Sequence, residues 1–258
     1  MAMASDPVPV AGGDAAGDSY ARRTVDNVAW LGSAQLLRQV AAMVTTVVLA
    51  RFLSPEDYGI FAMTLFINEL AQLFVNFGVG SALVQRKQVD QLVLSTCFWI
   101  NLLIAAVVGV VVLVASPFVA GYYRQPTVAD LLWVSAVNIC VGALIVIPQT
   151  LLTRLLNFRD IALGGTLGSL GGAAGTVALA ASGAGVWSLV AQPVIGTTLN
   201  LLYVGWRARW WPSLRFNLAS VRGVLGFSAN VMVESLVGHV ARNLQQILVA
   251  PVIGAAAM

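Results

Sequence analysis

The feature of this sequence that most limits its fold is the recurrence of long apolar runs separated by short polar connections. A helix needs about 20 apolar residues to cross the hydrocarbon core of a bilayer. Only 10% of the residues are charged, against about 25% in soluble domains. The chain is therefore predicted to be all-α, a polytopic membrane helix bundle with about seven transmembrane helices. The predicted segments are 25–50, 58–80, 92–115, 128–150, 161–182, 186–206 and 223–250.

The polar stretches indicate how the bundle is divided. Residues 1–23 are rich in Ala, Gly, Pro and Asp and contain no apolar run, so we expect a disordered cytoplasmic tail rather than a signal peptide. The stretch 207–222 mixes Arg with Trp, Phe and Leu, which predicts a cytoplasmic linker lying at the membrane interface. Residues 24–206 are then expected to form an N-terminal six-helix lobe. Residues 223–258 are expected to be the first helix of an incomplete C-terminal lobe.

The basic residues predict the orientation of the bundle. When successive segments alternate across the membrane, ten of the 14 Lys and Arg residues fall on one side. The other side holds Arg51 and Arg124, while Arg38 and Arg242 lie inside segments. Because cytoplasmic loops carry the excess of Lys and Arg, the N-terminus is predicted to be cytoplasmic. The ten residues on that side are Arg22, Arg23, Arg86, Lys87, Arg154, Arg159, Arg207, Arg209, Arg215 and Arg222.

Polar side chains in the first two segments form one candidate site. Arg38 and Glu69 lie at similar distances from the turn at 54–55, so two antiparallel helices joined there would carry them to nearly the same depth. Glu69, Gln72 and Asn76 share one helix face. Charges at mid-membrane are costly and usually face the bundle interior. The pattern fits either a structural ion pair that fixes helix packing or the polar wall of a substrate path.

The last segment carries a second polar group. Glu234 and Arg242 are eight residues apart and share a helix face. A helix with these groups needs an interior cavity or a packing partner, and both interpretations remain open. The single histidine and two cysteines provide no cluster of metal ligands, and the chain has no GxxxxGK[ST] loop. We therefore expect no metal site and no cofactor.

Small residues and prolines mark particular helices. The fifth segment reads 161-IALGGTLGSLGGAAGTVALAA-181, in which Gly164, Gly168 and Gly172 repeat every four residues. This spacing predicts close packing between two membrane helices. Pro148 and Pro193 fall within the fourth and sixth segments, where they are expected to kink the helices.

Two stretches carry recognisable motifs. The run 50-ARFLSPEDYGIFAMTLFINELAQLFVNFGVGSALVQRK-87 contains an A-R-x-L-x-P-x-x-Y-G turn and then a G-x-x-x-A-x-x-x-(Q/R)-(R/K) pattern. The stretch 185-GVWSLVAQPVIGTTLNLLYVGWRARWWPSLRFN-217 contains a W-x-P-x-(L/F)-x-F linker. Through these motifs the chain resembles the Wzx-type polysaccharide exporters, lipid-linked oligosaccharide flippases of the multidrug/oligosaccharidyl-lipid/polysaccharide superfamily. That family has two lobes, so the resemblance is to its N-terminal half, truncated after the first helix of the second lobe.

The resemblance implies a non-enzymatic exporter in the bacterial inner (plasma) membrane. It would move a polyprenyl-pyrophosphate-linked oligosaccharide, a precursor of lipopolysaccharide or exopolysaccharide, by alternating access. Guanidinium groups offer paired donors to phosphate oxygens, so Arg38 and Arg242 are candidates for the pyrophosphate by their position. Glu69 and Glu234 would be their partners or ion-coupling groups. The candidate cavity-lining, substrate-binding residues are Arg38, Glu69, Gln72, Asn76, Glu234 and Arg242.

Other functions are weighed against this one. The chain could be a non-transporting half or subunit of such a transporter, or a structural membrane protein in polysaccharide assembly. A membrane enzyme is disfavoured because the outward connections near 51–57, 116–127 and 182–185 are short, and Glu56 and Asp57 fit a helix-capping role. The expected partners are the lipid-linked oligosaccharide, membrane lipids and a missing C-terminal half or second copy. The arginines form no basic stripe, so nucleic acid is not expected.

Overall fold

The computed structural model describes residues 13–75, 79–85, 89–214 and 216–217. Within these ranges the chain is a bundle of helices without a β-strand, as the apolar runs predict. The helices are α1 (Gly13–Leu49), α2 (Pro55–Val75), α3 (Val79–Gln85), α4 (Gln91–Tyr123), α5 (Thr127–Arg154), α6 (Phe158–Ala181) and α7 (Val186–Ala208). The seventh predicted segment, 223–250, lies outside the described residues.

Three helices in the described part of the chain, α4, α5 and α6, are long and apolar enough to cross a membrane. Helices α2 and α7 do not meet this measure, and both carry polar side chains that line the hollows described below. An apolar bundle of this kind is a helical membrane protein. Helix α1 is described from Gly13, within the stretch 1–23 assigned by composition to a tail, where alanines favour helix.

Helix α4 is longer than its apolar run predicts. The predicted segment ends at residue 115 and a connection was expected over 116–127, but α4 continues to Tyr123. Pro117 lacks the N–H that would donate to the carbonyl of Leu113. The hydroxyl of Ser116 donates to that carbonyl instead, at 2.8 Å. The helix therefore passes through the proline, and the connection to α5 is reduced to 124–126.

Helix α1 packs along α6 and not along α2. The Arg159 guanidinium lies 5.2 Å from the centre of the Trp30 ring near one end of this pair. Near the other end, Leu49 and Ala180 belong to one buried cluster. Residue numbers rise together along the two helices, so α1 and α6 run parallel.

Helices α6 and α7 pack with their backbones in contact. A Cβ built on Gly168 would lie 2.5 Å from the carbonyl oxygen of Gly196, and one on Gly172 would lie 2.7 Å from that of Gln192. Any side chain larger than hydrogen would push the helices apart. The glycine repeat therefore serves close helix packing, as the sequence predicts.

The turn before α2 has capping geometry at Asp57, and Glu56 lies beside it in the first turn. The backbone N–H and hydroxyl of Ser54 donate to Asp57 Oδ2 at 2.9 and 2.8 Å. The Asp57 N–H donates back to Ser54 Oγ at 3.2 Å. These reciprocal bonds form a capping box at the α2 N-terminus, so Asp57 has a structural role.

The linker after α7 is tied to the first turns of α4. The indole N–H of Trp99 donates to the carbonyl oxygen of Ser213 at 2.9 Å, and the Ser213 N–H donates to Ser95 Oγ at 2.9 Å. Gln91 accepts from the Trp210 indole at 2.6 Å and donates to the Trp211 carbonyl at 2.9 Å. The part of 207–222 that the structure describes is thus held against the bundle by polar side chains.

Candidate functional site

Two adjoining hollows lie among helices α2, α5, α6 and α7. The first hollow has a volume of about 540 Å³ and the second about 620 Å³. Phe61, Leu65, Gln72 and Pro193 line both of them, so the hollows share a wall. Cavities of about 300–1,000 Å³ are typical of small-molecule sites. These volumes are large enough for part of a ligand.

The first hollow is walled by α2, α5 and α7, and it has a fixed hydrogen-bond framework. The amide nitrogen of Asn68 donates to the Thr64 carbonyl and to Ser135 Oγ, each at 3.0 Å. The Ser135 hydroxyl in turn donates to the Leu131 carbonyl at 2.9 Å. The remaining polar residues of this wall are Glu69, Gln72 and Asn138.

One acceptor in the first hollow lacks a partner. Asn138 Oδ1 is buried and makes no hydrogen bond within the described residues. A buried amide oxygen without a partner is unfavourable, and such groups are rare in native structures. The residue that carries this oxygen lines the first hollow.

The second hollow is walled by α2, α5 and α7 and also by α6. Its lining includes the glycine face of α6 and a set of amide and hydroxyl side chains. Among the described residues that line the two hollows, Glu69 is the single charged group. The polar residues lining the second hollow are Gln72, Gln149, Ser169, Gln192, Thr197 and Asn200.

Arg38 lies beside Gly165 and does not pair with Glu69. Its Nη2 donates to Gln35 Oε1 at 2.7 Å, on the same helix. A Cβ built on Gly165 would lie 2.5 Å from Arg38 Nη1. The expected meeting of α1 and α2 therefore does not occur in the described part of the chain, because α1 packs on the glycine-bearing helix α6. Gly165 lines the second hollow, whereas Arg38, on the other side of that glycine, is not among the residues that line either hollow.

The other predicted site residues divide into two groups. Glu69 and Gln72 both line the first hollow, and Gln72 also lines the second. Asn76, Glu234 and Arg242 lie outside the described residues. The polar residues Ser135, Asn138 and those of α6 and α7 were not predicted, because each stands alone in an apolar run and only the packing of four helices brings them together.

An ion pair at the ends of α6 and α7 was also not predicted. Arg207 Nη2 lies 2.7 Å from Asp160 Oδ2, whose side chain is only 6% exposed. Asn157 and Tyr203 also donate to Asp160, at 2.6 and 3.2 Å. A buried carboxylate with three donors is structurally satisfied. This cluster therefore joins two helix ends and is not a candidate site.

The described residues that line the two hollows are mainly apolar, amide and hydroxyl side chains. Amide and hydroxyl side chains both donate and accept hydrogen bonds, so they suit a ligand with many hydroxyl groups. Arg38 is a nearby cation, beside Gly165 of the second hollow's lining. The described geometry thus supports a non-covalent site in which polar and anionic groups contact different parts of the wall.

Comparison with known proteins identifies the family. The family described as "Polysaccharide biosynthesis protein" matches residues 48–258. The lipopolysaccharide biosynthesis protein WzxC of Escherichia coli (strain K12) is 28% identical over 92% of this chain and 49% of its own length. The succinoglycan biosynthesis transport protein ExoT of Rhizobium meliloti (strain 1021) is 27% identical over 91% of this chain and 47% of its own.

A third relative extends the range of organisms. The teichuronic acid biosynthesis protein TuaB of Bacillus subtilis (strain 168) is 26% identical over 73% of this chain and 39% of its own length. The chain therefore spans about half, or less, of the curated relatives it matches. No solved structure matches the chain significantly. The family match confirms the resemblance carried by the sequence motifs: the chain belongs to the polysaccharide biosynthesis protein family, with the Wzx-type exporters.

Proposed function

We propose that this chain is one lobe of an exporter that moves a polyprenyl-pyrophosphate-linked oligosaccharide across the bacterial inner membrane. The sugar head would cross through the polar hollows while the polyprenyl tail stays in lipid, and alternating access would open the hollows to each side in turn. The N-terminus would be cytoplasmic. The observation that carries the proposal is the pair of amide-lined hollows inside an apolar bundle.

The site residues have distinct roles in this proposal. Arg38, which lies against Gly165 of the second hollow's lining, would contact the pyrophosphate through its guanidinium donors. Glu69 and Gln72 would form the polar wall. Asn76, Glu234 and Arg242 are proposed to complete the passage. Relatives with roles in lipopolysaccharide biosynthesis and succinoglycan biosynthesis transport support this substrate class.

The test is a flipping assay in reconstituted vesicles. A fluorescent polyprenyl-pyrophosphate oligosaccharide is placed in both leaflets, and a glycosidase is added outside. Vesicles without protein should protect the inner-leaflet half of the lipid, whereas vesicles with active protein should lose that protection. We expect Arg38→Ala to slow the loss about tenfold, and Arg124→Ala, on the connection between α4 and α5, to leave it unchanged. Equal rates in these two variants would remove Arg38 from the proposal.

A second candidate is that the chain transports only as part of a pair. The observation that favours it is the length of the relatives, of which this chain covers about half. The same vesicles distinguish the two cases at low protein-to-lipid ratio. If one chain suffices, the fraction of active vesicles should rise in proportion to the protein. If two copies are needed, it should rise with the square of the protein concentration.

A further inference from the structure

We propose that the first hollow is a subsite for the uncharged sugar hydroxyls of the transported lipid, and that it excludes the pyrophosphate. This inference rests on the proposed function, because it assigns one part of that substrate to one part of the cavity. The two parts differ in chemistry. Sugar hydroxyls both donate and accept hydrogen bonds, whereas an ionised phosphate oxygen only accepts them.

The wall of the first hollow is rich in acceptors. Both amide protons of Asn68 are directed to the Thr64 carbonyl and Ser135 Oγ, which leaves its Oδ1 to accept. The carboxylate of Glu69 adds two further acceptors. Asn138 and Gln72 line the same hollow with amides that both donate and accept. The part of the wall formed by Asn68 and Glu69 therefore favours a ligand that brings donors.

The charge of the wall also favours sugar hydroxyls over a pyrophosphate. Glu69 is the charged residue among those lining the first hollow, and no Arg or Lys of the described chain lines it. A pyrophosphate placed here would face the Glu69 carboxylate and amide oxygens, which repel its anionic oxygens. Sugar hydroxyls meet no such cost, because their protons can point at these oxygens.

The arginine proposed to contact the pyrophosphate lies away from the first hollow. Arg38 is placed against Gly165 of α6, and Gly165 lines the second hollow but not the first. The two hollows share Gln72 and Pro193. A lipid-linked glycan could therefore contact Arg38 with its phosphates and reach past Gln72 into the first hollow with its sugars.

Two lipid probes separate the sugar contact from the phosphate contact. One is decaprenyl pyrophosphate without sugar, and the other is the same lipid carrying a linear chain of three glucose units. Binding of each is measured to the full-length chain in nanodiscs. We expect Asn138→Leu to raise the Kd of the glycosylated lipid about tenfold and to leave the Kd of the sugar-free lipid unchanged. Gln72→Leu, which alters the wall shared by the two hollows, should likewise raise the Kd of the glycosylated lipid and leave that of the sugar-free lipid unchanged.

The control is Gln125→Leu, an equivalent amide replacement on the connection between α4 and α5. It should change neither Kd. Retained binding of the sugar-free lipid shows that each variant is folded. If Asn138→Leu and Gln72→Leu weakened both lipids equally, or neither, the subsite would be overturned while the exporter proposal stood. If the unaltered chain bound neither lipid, both proposals would fail.

Discussion

Asp160 and Arg207 join the first turn of α6 to the last turn of α7 through a contact of 2.7 Å between Oδ2 and Nη2. The carboxylate is buried, whereas the guanidinium is 41% exposed. The two helices already touch through their glycines. The ion pair therefore adds a polar tie at one end of a contact that the glycines make close.

Removing the cation should cost more than removing both charges. Arg207→Met leaves the Asp160 carboxylate buried with only Asn157 and Tyr203 as donors. We expect a loss of about 1–3 kcal/mol in the free energy of unfolding, below the range for fully buried pairs because Arg207 is partly exposed. The measurement is thermal unfolding in detergent, followed by reaction of the buried Cys97 thiol with a fluorogenic dye.

The rescue variant makes this prediction specific. Adding Asp160→Asn to Arg207→Met removes the uncompensated charge and should recover most of the lost stability. The matched control is Arg209→Met, which replaces an exposed arginine two residues further along the chain. It should have little effect on stability. A double variant as unstable as Arg207→Met alone would show that packing of the arginine, and not its charge, is what matters.

The close contact of α6 with α7 predicts a position-dependent effect of alanine. Gly168→Ala places a Cβ 2.5 Å from the Gly196 carbonyl oxygen and must separate the helices. We expect a net loss of about 1–2 kcal/mol, since overpacking outweighs the gain in helix propensity. A Cβ built on Gly121 meets no atom of another helix within 4 Å. Gly121→Ala should therefore be neutral or slightly stabilising. Comparable unfolding temperatures for the two variants would contradict the contact.

These elements show what sequence patterns determine. The glycine repeat of α6 predicted a close helix contact because spacing along one helix is a local property. The apolar run predicted that α4 ends at residue 115, but the Ser116 hydroxyl donates to the carbonyl that Pro117 leaves without a donor, and the helix continues to Tyr123. Apolar length therefore does not determine where a helix ends when local hydrogen bonds can extend it.

The site was less predictable than the helices. Glu69 and Gln72 stand out in an apolar run, and both line the first hollow. Arg38 also stands out, but its neighbour depends on which helix α1 packs against, and that helix is α6. Asn138 carries no local signal. Its importance depends on α2 and α7, which are distant in sequence, so only the assembled bundle identifies it.

The linker contacts predict a change in protease sensitivity. Trp99→Phe keeps the aromatic packing against Phe98 and removes the bond to the Ser213 carbonyl. One neutral hydrogen bond is worth about 1 kcal/mol, so opening of the linker should become about fivefold more frequent. Trypsin should then cleave after Arg209 about fivefold faster in detergent.

The control for this change is Trp133→Phe. Its indole N–H donates to Ser116 at 3.2 Å, in the part of α4 far from the linker. It therefore removes an equivalent bond without touching the linker. If both variants were cleaved after Arg209 at the rate of the unaltered chain, the indole bond of Trp99 would not hold the linker closed.

The passage of α4 through Pro117 can be tested by a double-mutant cycle. Ser116 is fully buried, and its hydroxyl serves the Leu113 carbonyl that the proline cannot reach. Ser116→Ala should therefore cost about 1–2 kcal/mol in the unaltered chain. In a Pro117→Ala background, the new alanine N–H can donate to the Leu113 carbonyl, so the same serine change should cost less. The remaining cost is that of the Trp133 indole, which also uses Ser116.

Unfolding free energies of the four chains give a coupling energy, which we expect to be about 0.5–1.5 kcal/mol. A coupling of zero would mean that the serine hydroxyl does not substitute for the missing N–H, and that α4 tolerates its proline for another reason.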